Sequence, residues 1–185
     1  MIYILTGIAK SGKTLLSNEI KERYKIANFS TDYIMMMLYR GNEKLGIDVT
    51  ASDRSVANKI EPYVYGMIKT MIENGDTYLI EGVHFNPDFS RKLLDEFKEN
   101  IKILYLGYKD ITQEKKLEEV MQHKNSMNNP WLFNMPNQTV EETITYLIAE
   151  SKRVCEDCSK YGLSYIDIFD INQQKEDIIN LLMDK

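Results

Sequence analysis

Residues 7–14 read Gly7-Ile8-Ala9-Lys10-Ser11-Gly12-Lys13-Thr14, a complete G-x-x-x-x-G-K-[ST] pattern between an apolar run and a helix-forming segment. The spacing has a physical purpose. Glycine at the tight points lets successive main-chain N–H groups point inward, and the helix that follows adds the positive end of its dipole. Such a concavity accepts anions of the polyphosphate kind. Lys13 supplies a full positive charge for the β- and γ-phosphates of ATP, and the Thr14 hydroxyl supplies one ligand to Mg2+. Gly7, Ile8, Ala9, Lys10, Ser11, Gly12, Lys13 and Thr14 are therefore the nucleotide-binding candidates. Lys13 is also a catalytic candidate and Thr14 a metal ligand.

Two carboxylates follow strand-like runs. Asp32 closes Phe29-Ser30-Thr31-Asp32. In a parallel sheet every strand ends on the side of the phosphate loop, so Asp32 faces the transferred group, either as a base for an acceptor hydroxyl or as the N-cap of the next helix. Glu81 closes Thr77-Tyr78-Leu79-Ile80-Glu81, a Walker-B-like apolar strand ending on an acid. It holds Mg2+ through water or orients the nucleophile, or else it is a buried structural acid. Gly82 after it permits close approach of backbone to ligand.

The elements that must position these groups alternate. Apolar or β-branched runs at Ile2–Thr6, Ile26–Ser30, Thr77–Glu81, Ile101–Gly107 and Ser164–Phe169 are separated by helical patterns, which predicts a mostly parallel sheet covered on both faces. Asn86-Pro87 predicts a helix start, Thr139 and Glu142 a capping box, and Gly75 and Gly162 helix ends. A last helix is expected over Gln173–Met183. Residues 35–62 and 110–138 break the alternation and read as functional insertions. In the second, Asn128, Asn129, Pro130, Asn134, Pro136 and Asn137 favour turns, and Trp131 suits either a base-covering or a core role. Met35, Met36 and Met37 are expected to pack beneath the first.

With 185 residues, 43% of them hydrophobic, the chain suits one domain over 1–185. Its net charge of −5 disfavours nucleic acid as a partner. No apolar run approaches the length of a membrane span, and no export signal opens the chain, so a cytoplasmic location is expected. Cys155 and Cys158 form a C-x-x-C with acidic residues between them, a setting that suits reduced thiols rather than redox chemistry.

The phosphate loop, Phe29-Ser30-Thr31-Asp32 and Ile80-Glu81-Gly82-Val83-His84 with Pro87 together resemble the P-loop small-molecule kinases, especially the 2-phosphoglycerate kinase group, with zeta-toxin-like, polynucleotide-kinase-like and adenylate-kinase-like relatives. The resemblance spans Met1 to about Asp170. It implies a P-loop NTPase three-layer α/β sandwich with a five-stranded parallel sheet of order 2-3-1-4-5. It also implies an acceptor-binding insertion at about 35–62 and a helical lid at about 110–138. Asp32 would act as base or acceptor ligand. His84 matches the family histidine after Glu-Gly, and Arg40 and Arg54 lie in the acceptor insertion, where an acidic substrate or plain solvent could engage them. The lid segment has Lys115, Lys116 and Lys124 but no arginine. Arg153 is the substitute candidate for bridging phosphoryl oxygens.

The phosphate loop and the resemblance together imply ATP-dependent phosphorylation, with Mg2+, of a small hydroxyl-bearing acceptor, and the resemblance suggests a 2-phosphoglycerate-like acid, a sugar or a nucleoside. A nucleotide-gated regulator or toxin-like protein with little turnover is the alternative.

Overall fold

The computed structural model describes residues 1–124, 131–133 and 138–184; Asn128, Asn129, Pro130, Asn134, Pro136 and Asn137 lie outside them. In chain order the elements are β1 (Ile2–Gly7), α1 (Lys13–Tyr24), β2 (Ala27–Ser30), α2 (Thr31–Gly41), α3 (Asp53–Glu73), β3 (Tyr78–Glu81), α4 (Pro87–Phe97), β4 (Ile101–Gly107), α5 (Gln113–Gln122), α6 (Val140–Tyr161), β5 (Ser164–Asp167) and α7 (Ile171–Met183). The strands form one parallel sheet in the order β2-β3-β1-β4-β5, as expected.

Alternation along the central strands builds the layers. Ile2 and Ile4 of β1, Ile80 of β3 and Ile103 of β4 face one core with α2, α3, α4 and α6. Leu5, Leu79, Leu104 and Leu106 face the other, with Leu16 and Ile20 of α1 and Ile178, Ile179 and Leu182 of α7. A satellite cluster of Val120, Leu132 and Ile144 joins α5 to α6.

Several helix boundaries follow from capping chemistry. Thr139 Oγ1 accepts from Glu142 N at 3.1 Å while the Glu142 carboxylate accepts from Thr139 N at 2.8 Å, the reciprocal pair that starts α6. Gly162 ends it in the left-handed region. Asn86 stands at the N-cap position of α4 but does not cap; its amide donates to Asn58 Oδ1 at 2.7 Å and to Arg54 O at 3.3 Å. It ties α4 to α3 instead.

Within 35–62, where the alternation breaks, the chain is largely helical. Ser52 caps α3, which runs straight through Pro62. A proline inside a helix costs about 3 kcal/mol. The buried stripe Val56, Ala57, Ile60, Val64 and Ile68 outweighs that cost by packing α3 on the sheet. Met35 packs against the core, whereas Met37 is 63% exposed. Among the described residues, no helix is long and apolar enough to cross a membrane.

Candidate active site

β1 enters the loop in a conformation suited to glycine. Gly7 sits at φ +114°, and a Cβ there would stand 2.0 Å from the Leu106 carbonyl oxygen. Beyond the loop, Gly12 is the N-cap of α1 with no side-chain hydrogen bond, and no acidic residue lies in the first turn. The first N–H groups of this helix therefore keep their partial positive charge for an anion.

Two side chains from outside brace the loop. Tyr108 donates its hydroxyl to Ala9 O at 2.7 Å, and Lys116 of α5 donates to Lys10 O at 2.9 Å. The Lys116 ammonium lies 4.1 Å from the centre of the Tyr108 ring and pairs with Glu119 at 3.1 Å. Because a trans peptide places its C=O and N–H on opposite sides, fixing a carbonyl fixes the direction of the following N–H. Neither Tyr108 nor the particular role of Lys116 was legible from the motif.

Lys13 is only 6% exposed; it donates to Ile8 O at 2.6 Å, with Ser11 Oγ at 3.3 Å and Gly7 O at 3.4 Å. Burial pulls its pKa down to about 8, against the opposing influence of Glu81, Asp53 and Asp32. A charge this far desolvated is a strong partner for phosphate.

Sheet register delivers the carboxylates. Ser30 of β2 and Leu5 of β1 both lie opposite Glu81, so β2 and β3 end beside the mouth of the loop. Burial raises the Glu81 carboxyl, while a hydrogen bond from Ser30, the Lys13 charge and a hydrogen bond from Thr14 oppose that rise and Asp32 adds to it. The hydroxyl of Thr14 and the carboxylate of Glu81, near enough for the hydroxyl to influence the acid, are hard oxygen donors. They fit Mg2+, which takes one or two such groups and leaves its other positions to water and phosphate. Among the described residues, no cluster of three or more His, Cys, Asp and Glu could hold a metal on protein ligands alone.

Asp32 is not the cap of α2. Ser30 takes that role, its Oγ accepting from Asp32 N at 3.4 Å. The Asp32 carboxylate is 62% exposed and lies 3.7 Å from His84 Nδ1. His84 is buried, with Nδ1 2.9 Å from Thr31 Oγ1; burial lowers its pKa, Asp32 raises it and Lys13 lowers it, so the ring is neutral at neutral pH. Gly82 makes this contact possible: at φ +152°, a Cβ on it would stand 1.8 Å from Thr31 Oγ1.

Asp53, which sequence reasoning missed, opens α3 and lines a cavity with Gly7, Ile8, Glu150 and Arg153. Its side chain meets solvent, yet protein atoms are dense enough around the carboxylate to shift its titration. Burial raises its pKa to about 6; Lys13 opposes the rise, and Asp32 and Glu150 reinforce it. The signal was Ser52-Asp53, a capping serine with an acid in the first turn, obscured by the break expected at Pro62.

Arg153 lines the same cavity, but its guanidinium is held by its own helix. Nη2 lies 2.7 Å from Glu150 Oε2, and Nη1 lies 2.8 Å from Asp157 Oδ2. Arg54 also lines the cavity. Arg40 is exposed eight residues beyond Asp32 on α2, roughly 12 Å along the helix axis, and is not brought to this group. Of the other lysines singled out in 110–138, Lys115 donates to Phe169 O at 3.2 Å and Lys124 lies over Phe133 at 4.7 Å. Trp131 packs with the cores and lies 5.3 Å below the Lys10 ammonium. Burial pushes the Cys158 thiol up to about 12 and raises Cys155 as well, so both are thiols at neutral pH.

No protein-family model matches the chain, and no curated protein matches it in sequence. Its likeness lies among solved structures. A gluconokinase from Sinorhizobium meliloti 1021 superimposes with a TM-score of 0.56 at 13% identity, covering 98% of this chain and 92% of its own. A shikimate kinase from Acinetobacter baumannii, in complex with shikimate, gives 0.56 at 14% identity with coverage of 98% and 92%. The shikimate kinase from Bacteroides thetaiotaomicron gives 0.56 at 14% identity, covering 98% of both chains. The shared feature at this identity is the fold: the chain has the fold of the P-loop small-molecule kinases over nearly its whole length.

Proposed function

We propose that this protein is an ATP-dependent kinase that moves the γ-phosphoryl group of ATP onto a hydroxyl of a small molecule. One observation carries the reading: a buried Lys13 ammonium sits inside the phosphate loop and within electrostatic reach of Glu81, Asp53 and Asp32. A loop that served only as a turn would have no use for an ammonium ion removed from water. The fold shared with solved kinases supports the reading.

On this reading the loop amides and Lys13 hold the phosphates and offset the charge that builds up during transfer. Thr14 and Glu81 would hold Mg2+, which supplies charge neutralisation for the β- and γ-phosphates. Asp32 accepts the proton of the acceptor hydroxyl as its oxygen bonds to the γ-phosphorus. The bond from that phosphorus to the β,γ-bridging oxygen breaks, and ADP leaves with the electron pair. His84, fixed by Thr31, orients Asp32 from behind. Lys116 reaches the loop itself through Lys10 O with one carboxylate, Glu119, beside it, whereas the charge of Arg153 is engaged on α6 by both Glu150 and Asp157.

Two variants test the assignment. Lys13→Ala should lower turnover by roughly two to three orders of magnitude, the effect of deleting one electrostatic donor. Asp32→Asn should spare MgATP affinity and suppress transfer. Equal loss of both by Asp32→Asn would return that residue to a structural role, and unchanged turnover in Lys13→Ala would end the kinase reading.

The engagement of Arg153 and the absence of arginine from 110–138 favour a second reading, a nucleotide-gated regulator with little turnover. Measured ADP release separates the two: a kinase accelerates with an acceptor from a panel of sugars, hydroxy acids and nucleosides, and a regulator does not.

A further inference from the structure

Lys10 holds its backbone at φ +63°, in the left-handed region that a Cβ disfavours and glycine tolerates. Among the described residues one other non-glycine residue shares this conformation, Lys25, and it is the C-cap of α1, where such a turn completes a helix. Lys10 ends no helix. A backbone of this kind persists where its surroundings over-determine it.

The surroundings here are two donors, one on each peptide flanking the Lys10 Cα. Tyr108, fully buried, donates its hydroxyl to Ala9 O at 2.7 Å, and Lys116, 5% exposed, donates to Lys10 O at 2.9 Å. The donors are neighbours, with the ammonium 4.1 Å from the centre of the Tyr108 ring, so both carbonyls turn toward one place. The N–H groups of Lys10 and Ser11, trans to those carbonyls, turn the other way together, the arrangement of an anion-binding nest.

Each donor is itself fixed. Tyr108 follows β4, and its N–H donates to Ser151 Oγ at 2.7 Å. Lys116 is carried by α5, which starts at the Thr112 cap and packs through Val120, one turn further on, with Ile144 of α6. Glu119, at 3.1 Å, offsets the cost of burying the ammonium.

Resting on the kinase reading above, we infer that Tyr108 and Lys116 are positioning residues for the nucleotide: they hold Lys10 in the left-handed conformation that presents two loop amides to phosphate, and so make nucleotide affinity depend on the docking of α5. Neither has to touch the phosphates. The clamp compensates for the side chain at position 10, where glycine would take the same shape unaided.

The test compares alanine and glycine at position 10, with and without the clamp, by titration calorimetry of the full chain with MgATP. Both substitutions remove the Lys10 ammonium, so backbone preference is what separates them. With Tyr108 and Lys116 intact, Lys10→Ala and Lys10→Gly are expected to bind MgATP within about twofold of each other. Adding Lys116→Met, which keeps an unbranched apolar stem over Tyr108, should weaken binding about tenfold in Lys10→Ala and no more than about threefold in Lys10→Gly. Tyr108→Phe in place of Lys116→Met should give the same ordering with a smaller gap, and it carries the test if Lys116→Met does not fold. Equal losses with alanine and glycine would mean that Lys116 acts through its charge on the phosphates, and overturn the inference. No loss in either, or a gap as wide with the clamp intact, also overturns it. Absence of MgATP binding by the parent chain, measured first, overturns the kinase reading as well.

Discussion

On the side proposed for the phosphates, Gly7 to Thr14 supply loop amides, ammonium and hydroxyl in one unbroken stretch; on the side proposed for the acceptor, Asp32, Asp53, His84 and Glu150 arrive from different elements far apart in the chain. The first is built by local backbone geometry, with Gly7 wedged against Leu106 and Lys13 turned back onto Ile8. The second is built by topology, through strand register and the packing of α3 and α6 over the sheet. A site made locally admits few substitutions. A site made from several elements can change its occupant by altering one residue at a time.

The contrast can be broken most sharply at Gly7. Gly7→Ala forces a Cβ against backbone at 2.0 Å and keeps a left-handed φ, so a loss of about 3 kcal/mol in denaturant unfolding and loss of MgATP binding are expected. A variant as stable as the parent would show that the loop is less constrained than this geometry requires.

Lys13→Met should separate stability from function on the same side. The folded-state pKa of about 8 lies below the ordinary 10.5, so the unfolded chain binds more protons between those values and parental stability rises as pH increases from about 8 to 10.5. The variant should lack that rise and be more stable at pH 7 by about 1 to 3 kcal/mol. A destabilised variant would mean that the hydrogen bonds of Lys13 to the loop outweigh its desolvation.

Asp53 gives the matching test on the acceptor side, with a smaller amplitude because the group meets solvent. Its folded pKa of about 6 lies above the ordinary 3.8, so the folded chain binds more protons in that window and stability falls as pH rises from about 3.8 to 6. Asp53→Asn should flatten that part of the profile, by under about 1 kcal/mol. Arg40→Ala should change MgATP affinity and acceptor turnover by less than about twofold, since its helix carries it away from the cleft. A larger loss would bring residue 40 back to the acceptor site.

Legibility in the sequence follows the same division. The strands could be read because continuous apolar runs record burial on two faces, and the capping box and Gly162 marked α6 because capping is local chemistry. The loop was legible for the same reason. Asp53 was not, because Pro62 signals a break and only the burial of Val56, Ile60 and Val64 against the sheet carries α3 through it. The pairing of Arg153 with Glu150 and Asp157 was open to reading, at i−3 and i+4 on one helix, yet its consequence depends on what stands across the cavity. The bracing of the loop by Tyr108 and Lys116 depends on contacts between distant segments that no local pattern records.

The central claim is that the amides at the start of α1, together with Lys13, receive a polyphosphate. Titration calorimetry of the purified chain with Mg2+-loaded ATP, and with GTP as the comparison, tests it most directly. Saturable one-site binding of ATP at or below millimolar concentration, weakened at least about tenfold in Lys13→Ala, is the predicted result. A folded protein that gives no binding heat with either triphosphate in that range would contradict the account.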